Sequence, residues 1–209
     1  MGDYMKKILL SDYKSNMGIF IDVNNNDNNY YKDSKYINKI REAVNETSME
    51  YLEYDGEVID AMFFSTSNGY TEYSGVVFQK SWPYLKSVPS VYDEIVASAF
   101  NSVRSISLLE FYDRLDLEYN EILEVDIIER SNSNRIVKLK INGVEFMGKD
   151  LYKKLGLRSC DFEFVQIGNN VEIKTKGYGH GVGLSQYGAY YKEILEHYYV
   201  GVELKKLNV

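Results

Sequence analysis

The sequence predicts an α+β domain of mostly antiparallel hairpins interleaved with a few helices. Three observations carry this expectation. Three stretches read as strand–turn–strand, several short helical patterns fall between them, and no βαβ unit repeats. At 209 residues the chain fits one domain able to bury a real core. Residues 1–33 read as an N-terminal helix and a loop. Residues 34–209 form the main domain, in which about 95–160 is a candidate inserted subdomain.

From the start, Tyr4, Met5, Ile8 and Leu9 follow helical spacing up to Tyr13. "FIDVNNNDNNYYKDS" is polar and asparagine-rich, hence a loop. "SKYINKIREAVNETS" sets Tyr36, Ile37, Ile40 and Val44 on one helical face, with Asp33 or Ser34 as N-cap. "MEYLEYDGEVIDAMFFS" reads as a hairpin turning at Asp55-Gly56. "STSNGYTEYSG" is a polar loop, "PYLKSV" a short strand and "SLLEFYDRL" a short helix. "ILEVDIIERSNSNRIVKLKING" is a second hairpin, alternating at Val137, Leu139 and Ile141. "GKDLYKKLGL" is a helix ending near Gly156, and "DFEFVQIGNNVEIKTKG" a third hairpin. "AYYKEILEHYY" closes as an amphipathic helix.

Composition excludes several function classes. A net charge of −7, with scattered lysines and arginines, leaves no basic stripe for nucleic acid. The single cysteine, Cys160, forms no internal disulfide and no metal cluster. No apolar run approaches the roughly 18 residues of a membrane span, and "ILL" is too short for a signal-peptide core. The 20 tyrosines stand out against one tryptophan and nine phenylalanines. Their rings with polar tips suit sugar surfaces or half-buried strands.

The most informative stretch is "KGYGHGVGLSQYGA", with glycine at positions 177, 179, 181 and 183. It fits no dinucleotide loop, because Leu184 and Gln186 stand where the last glycine of G-x-G-x-x-G belongs. It lacks the Gly-Lys-Ser/Thr of a phosphate loop, and Tyr187 replaces the final glycine of G-x-S-x-G. His180 has no helical i,i+4 partner for a zinc site. Alternating glycines permit positive φ or close backbone approach. Two readings remain open: a ligand site with His180, Gln186 and Tyr187 as contacts, or tight packing under a neighbouring element with His180 as an interior histidine.

"GYGHGVGLSQYGA", preceded by "LGLRS" with Phe162 nearby and by "FFSTSNGYTEYS", resembles the stage II sporulation protein D family, which shares its domain with the amidase-enhancer proteins. "INKIREAVNET", "EYDGEVIDAMFFSTSNGYT", "WPYLKSVPSVYDE" and "YKEILEHYYVGVEL" follow the family order, so the resemblance covers about Ile37 to Leu204. It implies action on peptidoglycan, with sporulation members cutting peptide-free glycan strands as lytic transglycosylases beside a cell-wall amidase at the engulfing septum. In that reaction one carboxylic acid protonates the glycosidic oxygen and then assists attack by the sugar's own 6-hydroxyl, leaving an anhydro-muramic end. The resemblance also implies an extracytoplasmic, cell-wall location, although the chain as read carries no export signal.

By resemblance, Ser65, Thr66, Ser67, Asn68 and Thr71 line the substrate groove with Gly179, His180, Gly181, Gln186 and Tyr187. The hydroxyl-rich loop also reads as a self-capping turn. Arg158 and Ser159 are expected to brace the strand before the site, and Trp82 to pack rather than stack on sugar. The family's acid is a glutamate opening an E-A-L-K-A-Q-type helix, which falls at about Met1 here, and no glutamate occurs before Glu42. Asp3 and Glu72 are the catalytic candidates, with Glu57 and Asp60 as further displaced acids. About ten residues that family members carry after the counterpart of Ala189 are missing. "VNNNDNNYY" lacks the His and Cys ligands of some relatives, so no metal and no cofactor are expected. The expectation is a truncated or degenerate glycan-strand binder with weak or no cleavage. The alternative is a lytic transglycosylase of engulfment or wall remodelling.

Overall fold

Asp55 and Gly56 take positive φ (52° and 82°), the pair of left-handed residues that a tight two-residue hairpin requires. They join strand β1 (Glu50–Tyr54) to β2 (Glu57–Val58) in a computed structural model that describes residues 45–78, 80–98, 100–191 and 194–207. The expected helix over Tyr4–Tyr13 and the asparagine loop lie outside these residues, as does most of the helix around Tyr36–Val44. The chain divides into two units. In the first, strand β11 (Glu203–Lys206) pairs antiparallel with β1, giving the order β11-β1-β2. The second arm of this hairpin stops at Val58, shorter than the sequence predicts.

The second unit, Asp60–Val202, holds the remaining elements. Strand β3 (Phe63–Phe64) pairs in parallel with β10 (Leu184–Ser185). Two short helices follow, α1 (Ser74–Val77) and α2 (Asp93–Val96). Strand β4 (Asn101–Ser107) leads into α3 (Leu108–Arg114), whose N-cap Ser107 accepts from the Glu110 N–H. Strands β5 (Val125–Arg130), β6 (Ile136–Ile141) and β7 (Val144–Met147) form an antiparallel meander. Helix α4 (Gly148–Lys154) precedes the hairpin of β8 (Asp161–Ile167) and β9 (Asn170–Lys176), which β4 extends to the order β4-β9-β8. One cluster of buried side chains joins these pieces: Ile106, Leu108, Phe111 and Tyr112 around α3, Leu139 and Ile141 from β6, Leu151 and Leu155 from α4, and Phe162, Val171 and Ile173 from the β8–β9 hairpin.

Three local expectations change. "PYLKSV" is no strand: its carbonyls and amides are met largely by the Thr71 hydroxyl and backbone and by Ser74, because hydroxyls substitute for a partner strand. On β6 the buried residues are Ile136, Leu139 and Ile141 rather than a strict alternation with Val137, since a bulge in β5 shifts the pairing between Ile127 and Arg130. The closing helix is split into a 3-10 turn (Gly188–Tyr191) and α5 (Ile194–Tyr198). Among the described residues no helix is long and apolar enough to cross a membrane.

Candidate functional site

The glycine stretch lies against the chain segment 62–67 at Gly177, Gly179 and Gly183, and against Arg135 and Glu72 at Gly181. Tyr178 and Thr66 exchange both backbone hydrogen bonds (2.7 and 3.0 Å). Past Gly183 the chain returns in parallel, with Leu184 N–H donating to Met62 O (3.0 Å) and Gln186 N–H to Phe64 O (2.9 Å). All four glycines have positive φ, between 77° and 112°. A Cβ on Gly177 would meet Thr66 O at 2.8 Å, one on Gly179 Phe64 Cβ at 2.9 Å, and one on Gly183 Met62 O at 2.0 Å. On Gly181 it would strike the Arg135 guanidinium at 2.6 Å. The close approach that the alternating glycines permit is therefore made by the protein's own chain. The stretch is a packed loop and no continuous strand.

Beneath this loop lies a buried polar brace. Glu72, 1% exposed, donates its N–H to Gly181 O (2.7 Å). Its Oε2 accepts from the Ser131 hydroxyl (2.5 Å) and the Ser133 hydroxyl (2.6 Å), and its Oε1 from the Tyr73 N–H (2.8 Å). Arg135, 3% exposed, donates from Nη1 to Ser133 Oγ (2.6 Å) and from Nη2 to Tyr70 O (3.1 Å). Burial lowers its pKa from the usual arginine value, while the charges of Glu72 and Asp161 oppose that shift. Asn68 Nδ2 donates to Ser133 O and to Asp161 Oδ2, each at 2.7 Å. The β5–β6 turn that carries Ser131, Ser133 and Arg135 thus plugs into the STSNGYTE segment.

A second brace centres on Asp93, fully buried at the start of α2. Oδ1 accepts from the Ser67 N–H (2.9 Å) and the Ser185 hydroxyl (2.5 Å), and Oδ2 from the Ser90 hydroxyl (2.6 Å). Ser90 Oγ also meets the Tyr198 hydroxyl at 2.6 Å. Ser67 and Ser185, distant in sequence, are thus tied to one carboxylate, and Tyr198 is tied to it through Ser90. Sequence reading missed Asp93, although Ser90-x-x-Asp93 has capping-box spacing, a signal for a helix start that could have marked the pair.

His180 is half-buried between Phe64 (5.8 Å between ring centres) and Phe78 (5.7 Å). The Val182 N–H donates to its Nδ1 (3.0 Å), which leaves the proton of the neutral ring on Nε2. Burial lowers its pKa, a backbone hydrogen bond at Phe63 works against this, and the Arg135 charge adds to the lowering. His180 is therefore neutral at pH 7.

The site residues read from the sequence are brought together unevenly. Thr66, Ser67 and Thr71 are buried and bonded to the chain's own backbone and side chains, Ser65 and Asn68 are half-buried, and Tyr187 is exposed. Gly179 is half-buried and Gly181 buried. The half-buried Gln186 has its Oε1 sealed from solvent without a hydrogen-bond partner among the described residues. Glu57 and Asp60 are exposed, and Asp3 lies outside the described residues. Ser159 braces the strand before the site, its hydroxyl bonding Lys176 O (2.5 Å), while Arg158 is exposed over the Tyr178 ring (5.6 Å).

Fold and site together define an α+β domain that seats a glycine-rich loop on a hydroxyl-rich segment through two buried carboxylate braces. No family model matches the chain. It is 39% identical over 181 residues to the stage II sporulation protein D of Bacillus amyloliquefaciens and 35% identical over the same length to that of Bacillus subtilis (strain 168), covering 82% of this chain each time. The amidase enhancer of Bacillus subtilis (strain 168) is 24% identical over 224 residues, covering 78% of this chain and 32% of that protein. The chain belongs to the stage II sporulation protein D family. It spans about half the length, 52%, of the two sporulation relatives.

Proposed function

We propose that this chain binds the glycan strands of peptidoglycan at the glycine-rich loop, in a sporulation-related cell-wall role outside the cytoplasm, next to a cell-wall amidase. One observation carries the emphasis on binding. The acids around the loop (Glu72, Asp93 and Asp161) are all buried, and each accepts hydrogen bonds from the protein itself. A general acid has to reach the glycosidic oxygen. Glu72 and Asp93 instead hold the loop in shape, and the exposed Tyr178 and Tyr187, with the half-buried Ser65 and His180, are contacts for sugar hydroxyls and ring faces. The sequence relationship to stage II sporulation protein D supports the choice of ligand.

The test is co-sedimentation with peptide-free glycan strands, followed by mass spectrometry of the soluble fraction. Retention on the strands, weakened by Tyr187→Ala, is expected, with no anhydro-muramic ends formed. Anhydro ends formed by the parent chain would overturn the emphasis on binding, and their loss in a Glu72→Gln variant of unchanged thermal stability would assign the cleavage to Glu72. Failure of the folded protein to bind any strand would overturn the glycan reading itself.

A further inference from the structure

The aromatic surroundings of His180 do not end at Phe78. Phe78 meets Trp82 edge-on, with ring centres 6.0 Å apart, so a line of rings runs from Phe64 through His180 and Phe78 to the single tryptophan of the chain. Trp82 is half-buried, and its backbone is held on both sides by one side chain. Ser74, fully buried, accepts from the Trp82 N–H (3.0 Å) and donates to Trp82 O (3.4 Å). Ser74 N–H in turn donates to Leu85 O (3.1 Å), and the hydroxyls of Tyr73 and Ser81 close the same loop.

The exposed Lys80 stands over the Trp82 ring, its Nζ 5.1 Å from the ring centre. No carboxylate pairs with it among the described residues. The structure thus presents an aromatic ring with an exposed ammonium over it, two ring contacts away from His180.

We propose that Trp82 and Lys80 form a subsite for an acidic sugar, with the pyranose against the indole and the ammonium on the sugar's carboxylate. This rests on the glycan reading above and names the chemistry that the site selects. A muramic acid residue stripped of its stem peptide carries a free lactyl carboxylate, whereas in an intact strand that carbon is tied up in an amide. Chitin-type sugars have no such group. A lysine at this place therefore separates peptide-free strands from both alternatives. A point charge on a flexible stem suits a carboxylate whose position varies with the lactyl torsion. The local cation is also needed, because a chain with a net charge of −7 repels an anionic polymer at long range.

The lone tryptophan supplies its own reporter. Titrating the whole chain with peptide-free glycan strands is expected to shift or quench Trp82 emission at saturation. Lys80→Gln is expected to weaken binding of these strands by about threefold, the scale of an exposed ion pair, and Lys80→Glu by more. Neither change should alter affinity for neutral chitooligosaccharides. Trp82→Ala is expected to weaken both ligands by roughly tenfold, and circular dichroism checks that this variant is folded. Binding of peptide-free strands that leaves Trp82 emission and the Lys80 variants unchanged overturns the subsite while the glycan reading stands. Absence of any glycan binding by the parent chain overturns both.

Discussion

The guanidinium of Arg135 packs so closely on Gly181 that a Cβ there would lie only 2.6 Å from its Cζ. Arg135 comes from the turn between β5 and β6, and Gly181 from the glycine-rich loop. The loop thus takes its shape from a residue far away in the chain. Glu72 completes the contact by bonding the Gly181 carbonyl through its own N–H.

This relationship ranks two substitutions. Gly183→Ala is expected to destabilise more than Gly181→Ala. Both impose positive φ on a side chain, about 1–2 kcal/mol. At Gly183 the new methyl also meets a backbone carbonyl, Met62 O at 2.0 Å, which cannot move without breaking the β3–β10 pairing. We expect about 3 kcal/mol or more there, and less at Gly181, where a side chain can give way. Urea unfolding midpoints of the two variants check the order.

Glu72→Gln tests the brace. The carboxamide offers one oxygen where the native carboxylate accepts on two, so either the Tyr73 N–H or the Ser131 and Ser133 hydroxyls lose an acceptor. Leaving a buried donor unmet costs about 1–3 kcal/mol. The expected result is lowered thermal stability together with weaker glycan retention. Unchanged stability would contradict the bracing role.

Asp93→Asn places an NH2 group against donors from Ser67, Ser90 and Ser185. A loss of about 1–3 kcal/mol is expected. Amide hydrogen exchange resolves where it falls: the Ser67 amide, which donates to Asp93 Oδ1, should exchange faster than the amides of the β8–β9 hairpin.

His180 gives a pH dependence of definite sign. Burial holds its folded pKa below the ordinary histidine value near 6.5. The unfolded chain therefore binds the proton first as pH falls. The contribution is fully present above about 6.5 and is lost as pH drops from there towards the folded pKa. The difference in unfolding free energy between the parent chain and His180→Gln should shrink over that interval. In NMR titrations Arg135→Gln should move the His180 midpoint upward, because the guanidinium charge adds to the lowering.

Cys160 is expected to be inert in the folded protein. Burial pushes its thiol up to about 11, so at pH 8 only about one molecule in a thousand carries the thiolate. Reaction with a disulfide reagent should be slow in buffer and fast in urea.

The hairpins were legible from the sequence because their signals are local. Asp55-Gly56, the Ser131–Asn134 turn and the Gly168-Asn169 turn sit between β-rich arms, and the structure forms strands on both sides of each. Helices α3 and α4 fall where "SLLEFYDRL" and "GKDLYKKLGL" read as helices, the second stopping just before Gly156. The "PYLKSV" stretch misled because its backbone groups are met by the Thr71 hydroxyl and by the Thr71 and Ser74 N–H groups, which no local pattern announces. The sequence alone also placed the chain in its family, through motifs in a fixed order.

Tertiary structure decided what the glycines are for. Alternate glycines state that something comes close, and only the folded chain shows that it is Met62, Phe64, Thr66 and Arg135. It likewise decided that Glu72 is buried and that Asp93 ties Ser67 to Ser185. Spacing along the chain fixes periodicity and turn chemistry, whereas burial and hydrogen-bond partners arise from residues that are distant in sequence and meet only when the core closes.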